Sequence, residues 1–386
     1  MNKVVKRILI ISGCVLGTIV VAAGGYVGYV LLSYNRIGNV DLTIDRHSTL
    51  TQAKVGETYK AMSYNVGFGA YSQDFTFFLD TGYDEYGNPT AGHWSKAFSE
   101  ETVRFNISGA IHTLKGYQPD FAFIQECDVA STRSYNINED ALLQEAFPEY
   151  DHMYCTNVHT AFLPYPFYDM HGIINGGMTT FSRFQAKDGK RRQYTVSDSL
   201  SKLFDLDRCF SHFSVEVDNG KKLHIVNSHM SAYDEGGVIR QEQMKEINAF
   251  LQTAKETGDY VVVGGDWNHD LLINNPDFDY TMANKPFGEK KKGPDWLRYL
   301  FDENGKSPIL EGYSVVASDN TPTCRNVDME WVPGKTYVCT VDGFIVSNNV
   351  EVVSHANILT KNGSKGLDGF AYSDHDPAVM EFRLKA

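Results

Sequence analysis

The stretch "YVVVGGDWNHD", residues 260–270, decides how this sequence is interpreted. It begins with four apolar residues in a row, a pattern typical of a strand that is buried on both faces. Two glycines follow, and then four side chains able to bind a metal ion, a water or a phosphate: Asp266, Asn268, His269 and Asp270. The strand would hold Asp266 and Asn268 rigidly at a site, and the glycines would let backbone and substrate approach closely. His269 and Asp270 are interpreted as helix-capping or surface residues.

Apolar runs and helical patterns alternate along the rest of the chain. Strands are predicted at 59–68, 120–128, 177–184, 210–218, 222–230, 336–347, 350–359 and 376–384. Helices are predicted at 99–118, where Ser99 is a candidate N-cap, and at 238–255. Because no linker divides these elements, we predict one mixed α/β domain from about residue 55 to the C-terminus.

Residues 8–32 form the longest apolar segment, with 25 consecutive uncharged residues. At about 1.5 Å per residue, such a helix exceeds the roughly 30 Å hydrocarbon core of a bilayer, so a single transmembrane helix is predicted. Lys3, Lys6 and Arg7 precede it without an acidic residue. The positive-inside rule therefore predicts a cytoplasmic tail at 1–7, a single-pass protein of the cell membrane, and an extracellular domain. The lipid bilayer is then a partner through this helix, and no obligate protein partner is inferred.

Two other interpretations of the apolar segment stay open. Small residues in "VAAGG" would suit cleavage of a signal peptide, although the apolar run is longer than a typical signal core. The box "ISGC", which ends at Cys14, resembles a lipoprotein cleavage site, although further apolar residues follow it. The length of the run favours an uncleaved anchor. The polar residues 33–57 are predicted to form a stalk between this anchor and the domain.

Acidic side chains outnumber basic ones in the predicted external part. Three of the 35 Lys and Arg residues precede the apolar segment, so residues 33–386 carry 32 basic and 48 acidic side chains, a net charge of −16. Such a surface repels polyanions unless a metal ion or a local basic patch intervenes, which argues against tight nonspecific nucleic-acid binding. Cys324 and Cys339 could pair across a hairpin in an oxidising space, with small buried hydrophobic residues as the alternative.

Acid, amide and imidazole side chains recur at or just after the predicted strands. They are Asn65, Glu126, His229, Asp266, Asn268, Asp342, Asp374 and His375. Each of them alone could cap a helix or make a turn. Together they supply metal ligands, a base and phosphate donors, and the carboxylate-rich donor set predicts Mg²⁺ or Mn²⁺ and not zinc.

Six motifs connect these residues with a known family: "YNV", "QE", "NSH", "GDWN", "VDGFIVS" and "SDHDP". In this order the sequence resembles the endonuclease/exonuclease/phosphatase superfamily over roughly residues 58–386. Its members include pancreatic-type deoxyribonucleases, abasic-site endonucleases, neutral sphingomyelinases and inositol-phosphate phosphatases. The resemblance implies a four-layer α/β/β/α sandwich of two mixed β-sheets flanked by helices, here preceded by one transmembrane helix. It also implies a metal-dependent phosphoester hydrolase.

The resemblance implies how the carboxylates and amides are used. Glu126 resembles the principal metal ligand, helped by Asn65 and by Asp374, directly or through water. Asp266 resembles the residue that orients and deprotonates the attacking water. Asn268 resembles the amide that holds a phosphate oxygen. A carboxylate beside the attacking water and a divalent ion that neutralises the ester's charge are what hydrolysis of a phosphodiester requires.

The histidines have implied roles of their own. His375 resembles the imidazole that faces the scissile phosphate, and Asp342 the carboxylate that orients it and keeps it charged. His229 resembles a second histidine that contacts the phosphate in nucleases and phosphodiesterases. A non-catalytic, membrane-anchored binding protein on the same fold is the alternative, although none of these residues has been lost.

Three loops are candidates for selecting the substrate. Residues 69–94 and 160–172 are rich in aromatic side chains, and residues 284–296 carry Lys290 and Lys291. Such loops often simply pack onto a domain or solvate a turn. Alternatively, the aromatic residues would grip a lipid, a sugar or a nucleobase, and the two lysines would bind substrate phosphates or an anionic membrane.

The substrate itself stays open at this stage. Arg133 is predicted to reach a phosphate oxygen, with a surface salt bridge as the alternative. Abasic-site endonucleases tend to carry an acidic residue where this chain has Gly67, which weakens that branch. A phospholipid or sphingomyelin phosphodiesterase, an extracellular nuclease and a small-molecule phosphatase remain. Tethering near the bilayer favours a lipid headgroup.

Overall fold

The computed structural model describes residues 2–84, 86–203, 206–232, 237–272 and 309–386. Lys290 and Lys291, which were predicted to bind substrate, and the loop 284–296 lie outside these residues. The helices are α1 Lys3–Ser33, α2 Glu100–Tyr117, α3 Glu139–Ala146 and α4 Val238–Thr257. The strands are β1 Val40–Asp41, β2 Gln52–Ala53, β3 Thr58–Asn65, β4 Thr81–Tyr83, β5 Pro89–Ala91, β6 Phe121–Asp128, β7 Asp151–His159, β8 Asn175–Ser182, β9 Ala186–Gln193, β10 Cys209–Val217, β11 Lys222–His229, β12 Tyr260–Asp266, β13 Tyr313–Val316, β14 Cys324–Arg325, β15 Val338–Cys339, β16 Asp342–Ser347, β17 Val350–Asn357 and β18 Ala378–Leu384.

Two mixed sheets form the centre of the domain. One has the strand order β1-β9-β10-β11-β12-β16-β13, with β2 pairing beside β10, and the other has the order β17-β18-β3-β6-β8-β7. Their facing sides share one apolar core, in which Phe123 of β6 meets Phe344 of β16 at a ring-centroid distance of 6.3 Å. Helices α2 and α3 cover the outer face of the six-stranded sheet, and α4 covers the outer face of the larger sheet. The expected four-layer α/β/β/α sandwich is confirmed.

Strand β12 is buried on both faces, as its unbroken apolar run predicts. Tyr260 and Val262 point into the core between the sheets, whereas Val261 and Val263 pack against α4. The two glycines that follow serve a different purpose from the one expected. A Cβ atom on Gly264 would lie 2.7 Å from the Phe123 ring, and one on Gly265 would lie 2.1 Å from the carbonyl oxygen of Ser228. Gly264 thus makes room for a ring of the opposite sheet, and Gly265 for the adjacent strand β11.

Gly264→Ala is therefore expected to destabilise the fold. The added methyl group must displace the ring of Phe123 in a packed core, which costs about 1–3 kcal/mol. The measurement is urea unfolding of the full-length protein in a mild detergent. Gly116→Ala is the matched control, because this glycine lies in α2 with nothing within 4 Å of the added Cβ. Removing a helical glycine there should stabilise the protein slightly, and equal effects at the two positions would contradict the packing argument.

Some of the predicted elements are confirmed, and others were missed. The predicted helix 99–118 is α2, and its N-cap is confirmed, because the Ser99 hydroxyl accepts from the backbone N–H of Thr102 at 3.1 Å. Helix α3 and strands β7, β9 and β13 are among the elements that were not predicted, and β9 is made mostly of polar and charged residues. The segment expected to be a stalk, residues 33–57, adds the short strands β1 and β2 to the larger sheet.

Helix α1 contains the apolar segment at the N-terminus. It has 31 residues and is long and apolar enough to cross a membrane, and a signal sequence would share these properties. Its apolar side chains are exposed along most of its length, and only Val30 is buried. The helix meets the domain near its C-terminal end, where the Tyr26 hydroxyl donates to the carbonyl oxygen of Phe162 at 2.9 Å.

Candidate functional site

The ends of three neighbouring strands bring the first half of the site together. His229 at the end of β11 pairs in register with Asp266 at the end of β12, and Asp266 pairs with Asp342 at the start of β16. Residues directly opposite each other on adjacent strands point to the same face of a sheet. This register therefore places an imidazole and two carboxylates side by side, although 113 positions separate His229 from Asp342 in the chain.

The other sheet supplies the second half. Asn65 ends β3, and its Nδ2 donates to Glu126 Oε1 at 3.1 Å and to Asp266 Oδ2 at 3.0 Å. Glu126 lies in a β-bulge between Ile124 and Cys127 and has a positive φ of 53°. A bulge of this kind redirects one side chain out of the regular alternation of a strand. The bulge thus turns Glu126 toward the larger sheet, and the site spans both sheets.

Buried amides fix how the two sheets are aligned behind the site. Gln125 Nε2, in the six-stranded sheet, donates to Asn227 Oδ1 in the larger sheet at 2.8 Å. The Nδ2 of Asn227 donates back to the six-stranded sheet, at Ile124 O and Thr179 O. Both amide side chains are fully buried. Because a misaligned pair would leave these polar groups unsatisfied in the core, the contact favours one relative position of the sheets.

His375 forms a hydrogen-bonded pair with Asp342. Its Nδ1 lies 2.7 Å from Asp342 Oδ2, and its Nε2 lies 3.8 Å from Asp266 Oδ2. Ser373 supports the turn before it, donating to Asn65 O at 2.8 Å and accepting from the His375 backbone N–H at 3.1 Å. The carboxylate of Asp342 therefore fixes the orientation of the imidazole, and its second ring nitrogen faces Asp266.

The pKa values of the two histidines are shifted in opposite directions. Burial would lower the pKa of His375, but the adjacent Asp342 and the surrounding carboxylates raise it well above its ordinary value. Burial, together with the charge of Arg208, lowers the pKa of His229 well below its ordinary value. At neutral pH His375 is consequently a cationic donor, whereas His229 is a neutral imidazole.

The acids at the site also have shifted pKa values. Burial raises the pKa of Asp266, although the charge of His375 opposes this shift. Burial raises the pKa of Asp374 to about 7, with His375 opposing and Glu126 adding to the shift. Several carboxylates are thus confined together in a region where their negative charge is unfavourable, and a bound cation would relieve this.

The donor set suits a hard divalent cation. Ligand atoms of Glu126, His229 and Asp266 all lie within 4.8 Å of one another. Of the two carboxylates that lie beside His229, Glu126 is the more accessible, with 22% of its side chain exposed against 2% for Asp266. Asn65 presents its amide nitrogen to both carboxylates, and a 180° turn of that amide would present its oxygen instead. Oxygen-rich sites of this kind prefer Mg²⁺ or Mn²⁺.

The residues after Asp266 have distinct positions. Asn268 lines the cleft with a positive φ of 46°, and its Nδ2 donates to Met230 O at 2.9 Å. Its backbone N–H donates to Asp266 Oδ1 at 2.8 Å and so orients that carboxylate. His269 and Asp270 are buried, so their interpretation as surface residues is wrong. Asp270 caps the following turn by accepting from the backbone N–H of Leu272.

A cleft of about 1320 Å³ opens over these groups. This exceeds the roughly 300–1,000 Å³ of a typical small-molecule site. Its floor includes Glu126, Asp266, Asn268, Asp374 and His375, and its walls include Phe77, Phe78, Leu79, Leu163 and Tyr165. In the loop 69–94, Phe75 packs in the apolar core, whereas Tyr71, Phe77 and Phe78 both pack against that core and line the cleft. The apolar wall thus comes from both predicted aromatic loops.

Arg133 lies at the cleft in a buried ion pair, not in a surface salt bridge. Its Nε and Nη2 each donate to the carboxylate of Asp128 at 2.9 Å, and its guanidinium lies 3.7 Å from the ring centroid of Phe68. Two of its nitrogens are therefore occupied by the protein. Nη1 is the nitrogen that a substrate oxygen could reach.

Arg208 is a cleft residue that the sequence analysis missed. It is 5% exposed, and among the described residues its Nε and Nη1 have no hydrogen-bond partner. A buried guanidinium with two unpaired nitrogens is costly unless an anion joins it. In the sequence it is one arginine beside two aspartates, "DLDR", which looks like an ordinary surface ion pair. No local pattern distinguishes it from one.

The cysteines are free thiols in this structure. Cys324 and Cys339 lie directly opposite each other in the β14–β15 pair, beside His375. Cys155 and Cys209, on different sheets, have their sulfur atoms 3.6 Å apart.

Sequence comparison finds a matching family model and a matching relative. A model of the "Endonuclease/Exonuclease/phosphatase family" matches residues 62–375. Sphingomyelinase C from Leptospira interrogans is 26% identical over 160 residues, which cover 35% of this chain and 28% of that protein. The chain thus matches little more than a quarter of the length of this relative.

Solved structures show the same fold at low sequence identity. ANGEL2, a 2′,3′-cyclic phosphatase, has a TM-score of 0.53 at 13% identity, covering 90% of this chain and 99% of that chain. TDP2 from D. rerio, complexed with a single-strand DNA product, has a TM-score of 0.50 at 16% identity, covering 85% and 99%. Sequence identities this low establish a common architecture and leave the substrate open.

Proposed function

Because this chain belongs to the endonuclease/exonuclease/phosphatase family, we propose that its site hydrolyses a phosphodiester with a bound Mg²⁺ or Mn²⁺. We further propose that α1 anchors the protein in the cell membrane with the N-terminus cytoplasmic and the catalytic domain outside, and that the preferred substrate is a phospholipid or sphingomyelin. The observation that carries the chemical proposal is the His375–Asp342 pair, in which the second ring nitrogen of His375 lies 3.8 Å from Asp266 Oδ2.

Each residue then has a defined task. Asp266 Oδ2 accepts a proton from the attacking water, and the backbone N–H of Asn268 holds that carboxylate in position. The protonated His375 donates to a phosphate oxygen, and Asp342 keeps it protonated and oriented. Glu126, with Asp374 and Asn65, would hold the cation. The cation would supply positive charge that neutralises the ester and stabilises the charge that develops during attack.

Three observations favour a lipid headgroup over other phosphodiesters. The cleft wall is largely apolar, with Phe78, Leu79 and Leu163 above the polar floor. An apolar helix long enough to cross a bilayer precedes the domain. The curated relative is a sphingomyelinase, and the part of this chain that resembles it is consistent with a related substrate.

A substrate panel tests the proposed function. Full-length protein in detergent micelles would be assayed with sphingomyelin, phosphatidylcholine and single-strand DNA, with Mg²⁺ and with EDTA. We expect release of the phosphorylated headgroup from a lipid in Mg²⁺ and none in EDTA. Cleavage of DNA alone would favour the extracellular nuclease. No turnover of any substrate would favour the non-catalytic binding protein.

Arg208→Ala is expected to lower kcat/KM for a phosphodiester substrate. Loss of a charge-assisted hydrogen bond to a phosphate costs about 1.5–3 kcal/mol, which lowers kcat/KM roughly 10- to 100-fold. Arg208→Lys should restore part of the loss, because it returns the charge without the fork of donors. The control is Arg183→Ala, which removes an exposed guanidinium paired with Asp120. An unchanged kcat/KM in Arg208→Ala would remove this residue from the site.

A further inference from the structure

We propose that residues 162–173, here called the docking loop, insert into the outer leaflet of the same bilayer that α1 crosses. The cleft would then open against the membrane and receive lipid headgroups from it. Insertion of the loop rests on the proposed anchoring by α1, and substrate delivery rests in addition on the proposed hydrolysis of a lipid.

Two tyrosines of α1 fix the docking loop to the end of the helix. The Tyr26 hydroxyl donates to Phe162 O at 2.9 Å, and the Phe162 backbone N–H donates to the Tyr29 hydroxyl at 3.1 Å. The backbone N–H and C=O of Phe162 are therefore both bound by side chains that lie about one helical turn apart. Wherever the end of α1 lies relative to a bilayer, the docking loop must lie beside it.

The length of α1 places this contact at the surface of the bilayer. About 20 residues of a helix cross the roughly 30 Å hydrocarbon core. Counted from Ile8, the first residue of the apolar run, the core ends near Val27, so Tyr26 and Tyr29 fall at the outer interface. Tyrosines are enriched at this level, where the ring is buried and the hydroxyl is among polar groups.

The docking loop exposes apolar side chains at this level. Phe167 is 79% exposed, Tyr168 63% and Tyr165 54%, and Met170 is also exposed. The loop is held in place, since Leu163 and Gly172 exchange two backbone hydrogen bonds of 3.0 Å. Exposed apolar groups on an ordered loop form an interaction surface, and continuity with α1 identifies the bilayer as its occupant.

Charge does not oppose insertion of the loop. Asp169 is the only acidic or basic residue between positions 162 and 173, apart from His171. Its carboxylate is buried, accepts from the Ser95 backbone N–H at 2.8 Å and pairs with Lys96 at 3.1 Å. His171 is buried as well, and burial lowers its pKa to about 4, so it is neutral. The exposed face of the loop therefore carries no charge into the interface.

The same loop forms one wall of the catalytic cleft. Tyr165 packs against Phe78 with ring centroids 5.9 Å apart, and both residues line the cleft together with Leu163. A lipid leaving the bilayer beside Phe167 would meet this apolar wall before its phosphate reached Glu126 and His375. This geometry suits a substrate with an acyl chain and a phosphodiester headgroup.

Tryptophan quenching tests insertion without any need for activity. Full-length Phe167→Trp would be reconstituted in phosphatidylcholine vesicles with brominated or unbrominated acyl chains, and the wild-type signal subtracted. We expect the added fluorescence to be lost in the brominated vesicles only. Val353→Trp is the matched control, an exposed site on β17 at the opposite edge of the six-stranded sheet. Equal fluorescence of Phe167→Trp in the two kinds of vesicle would overturn insertion, even if lipid were hydrolysed.

An activity measurement tests substrate delivery. Phe167→Asp adds a charge at the most exposed ring, so we expect hydrolysis of sphingomyelin in vesicles to fall about tenfold or more. Hydrolysis of a soluble substrate, bis(p-nitrophenyl) phosphate, should not change, since Phe167 does not line the cleft. Equal losses on both substrates would overturn delivery through the loop. Quenching without hydrolysis of any lipid would support insertion and overturn the proposed lipid substrate.

Discussion

Asp266→Asn lowers kcat by about 10³-fold if this carboxylate takes the proton of the attacking water, within the range for loss of a positioned general base. The amide has nearly the same shape and keeps an oxygen to accept from the Asn268 backbone N–H. It cannot accept a proton at neutral pH. The measurement is steady-state hydrolysis by the full-length protein, with the preferred substrate, at saturating Mg²⁺.

Stability distinguishes this loss from misfolding. Burial raises the pKa of Asp266, so its charge is unfavourable in the metal-free fold. The neutral variant should therefore melt at the same temperature as the wild type or higher. Asp259→Asn is a matched control just before the other end of the same strand, where the carboxylate accepts from the Lys222 backbone N–H. Wild-type activity in Asp266→Asn would exclude Asp266 as the base.

Glu126→Gln is expected to have the second large effect, through the cation. Removal of a group that merely supports a metal ligand costs about 10- to 100-fold in affinity. Loss of the principal carboxylate should cost at least as much. Titration calorimetry with Mn²⁺ measures binding without turnover, and activity should recover in part at high Mn²⁺ because occupancy is restored by mass action.

The control for Glu126→Gln changes the net charge of the protein by the same amount. Glu216→Gln removes a carboxylate from β10 that pairs with exposed Lys187. It should leave the affinity for Mn²⁺ unchanged. If Glu126→Gln bound Mn²⁺ as tightly as the wild type, Glu126 would not be the principal ligand. EDTA should abolish activity in the wild type and in Glu216→Gln alike.

The sequence was most informative where local pattern and tertiary environment agree. β12 could be predicted because both of its faces are buried, so every residue from Tyr260 to Val263 is apolar. Helix α2 was predictable from its spacing and its Ser99 cap. By contrast, β9 carries the sequence "AKDGKRRQ", which resembles a solvated turn. It is a strand because β10 pairs with it and because Arg191 is buried against backbone carbonyls.

Contacts between the two sheets could not be read from the sequence. The motifs identify Asn65, Glu126 and Asp266 as members of a set, but their distances depend on how the sheets are aligned. The bulge that redirects Glu126 and the buried, unpartnered donors of Arg208 depend on the same tertiary packing. The role expected for Gly264 was wrong for this reason, since its neighbour is a ring from the opposite sheet.

The buried Gln125–Asn227 contact has a consequence for how this protein can diversify. Sliding one sheet past the other by a single residue would move Glu126 about 3.3 Å relative to Asp266, enough to separate the groups that we propose act on one phosphorus atom. The amide pair opposes that displacement, and both of its side chains are fully buried, away from the cleft walls. Mutations in the cleft walls can consequently accumulate and alter which molecules enter the cleft. The side chains at the strand ends would keep their relative positions. Selection for a new substrate and selection for catalysis then act on separate parts of the protein.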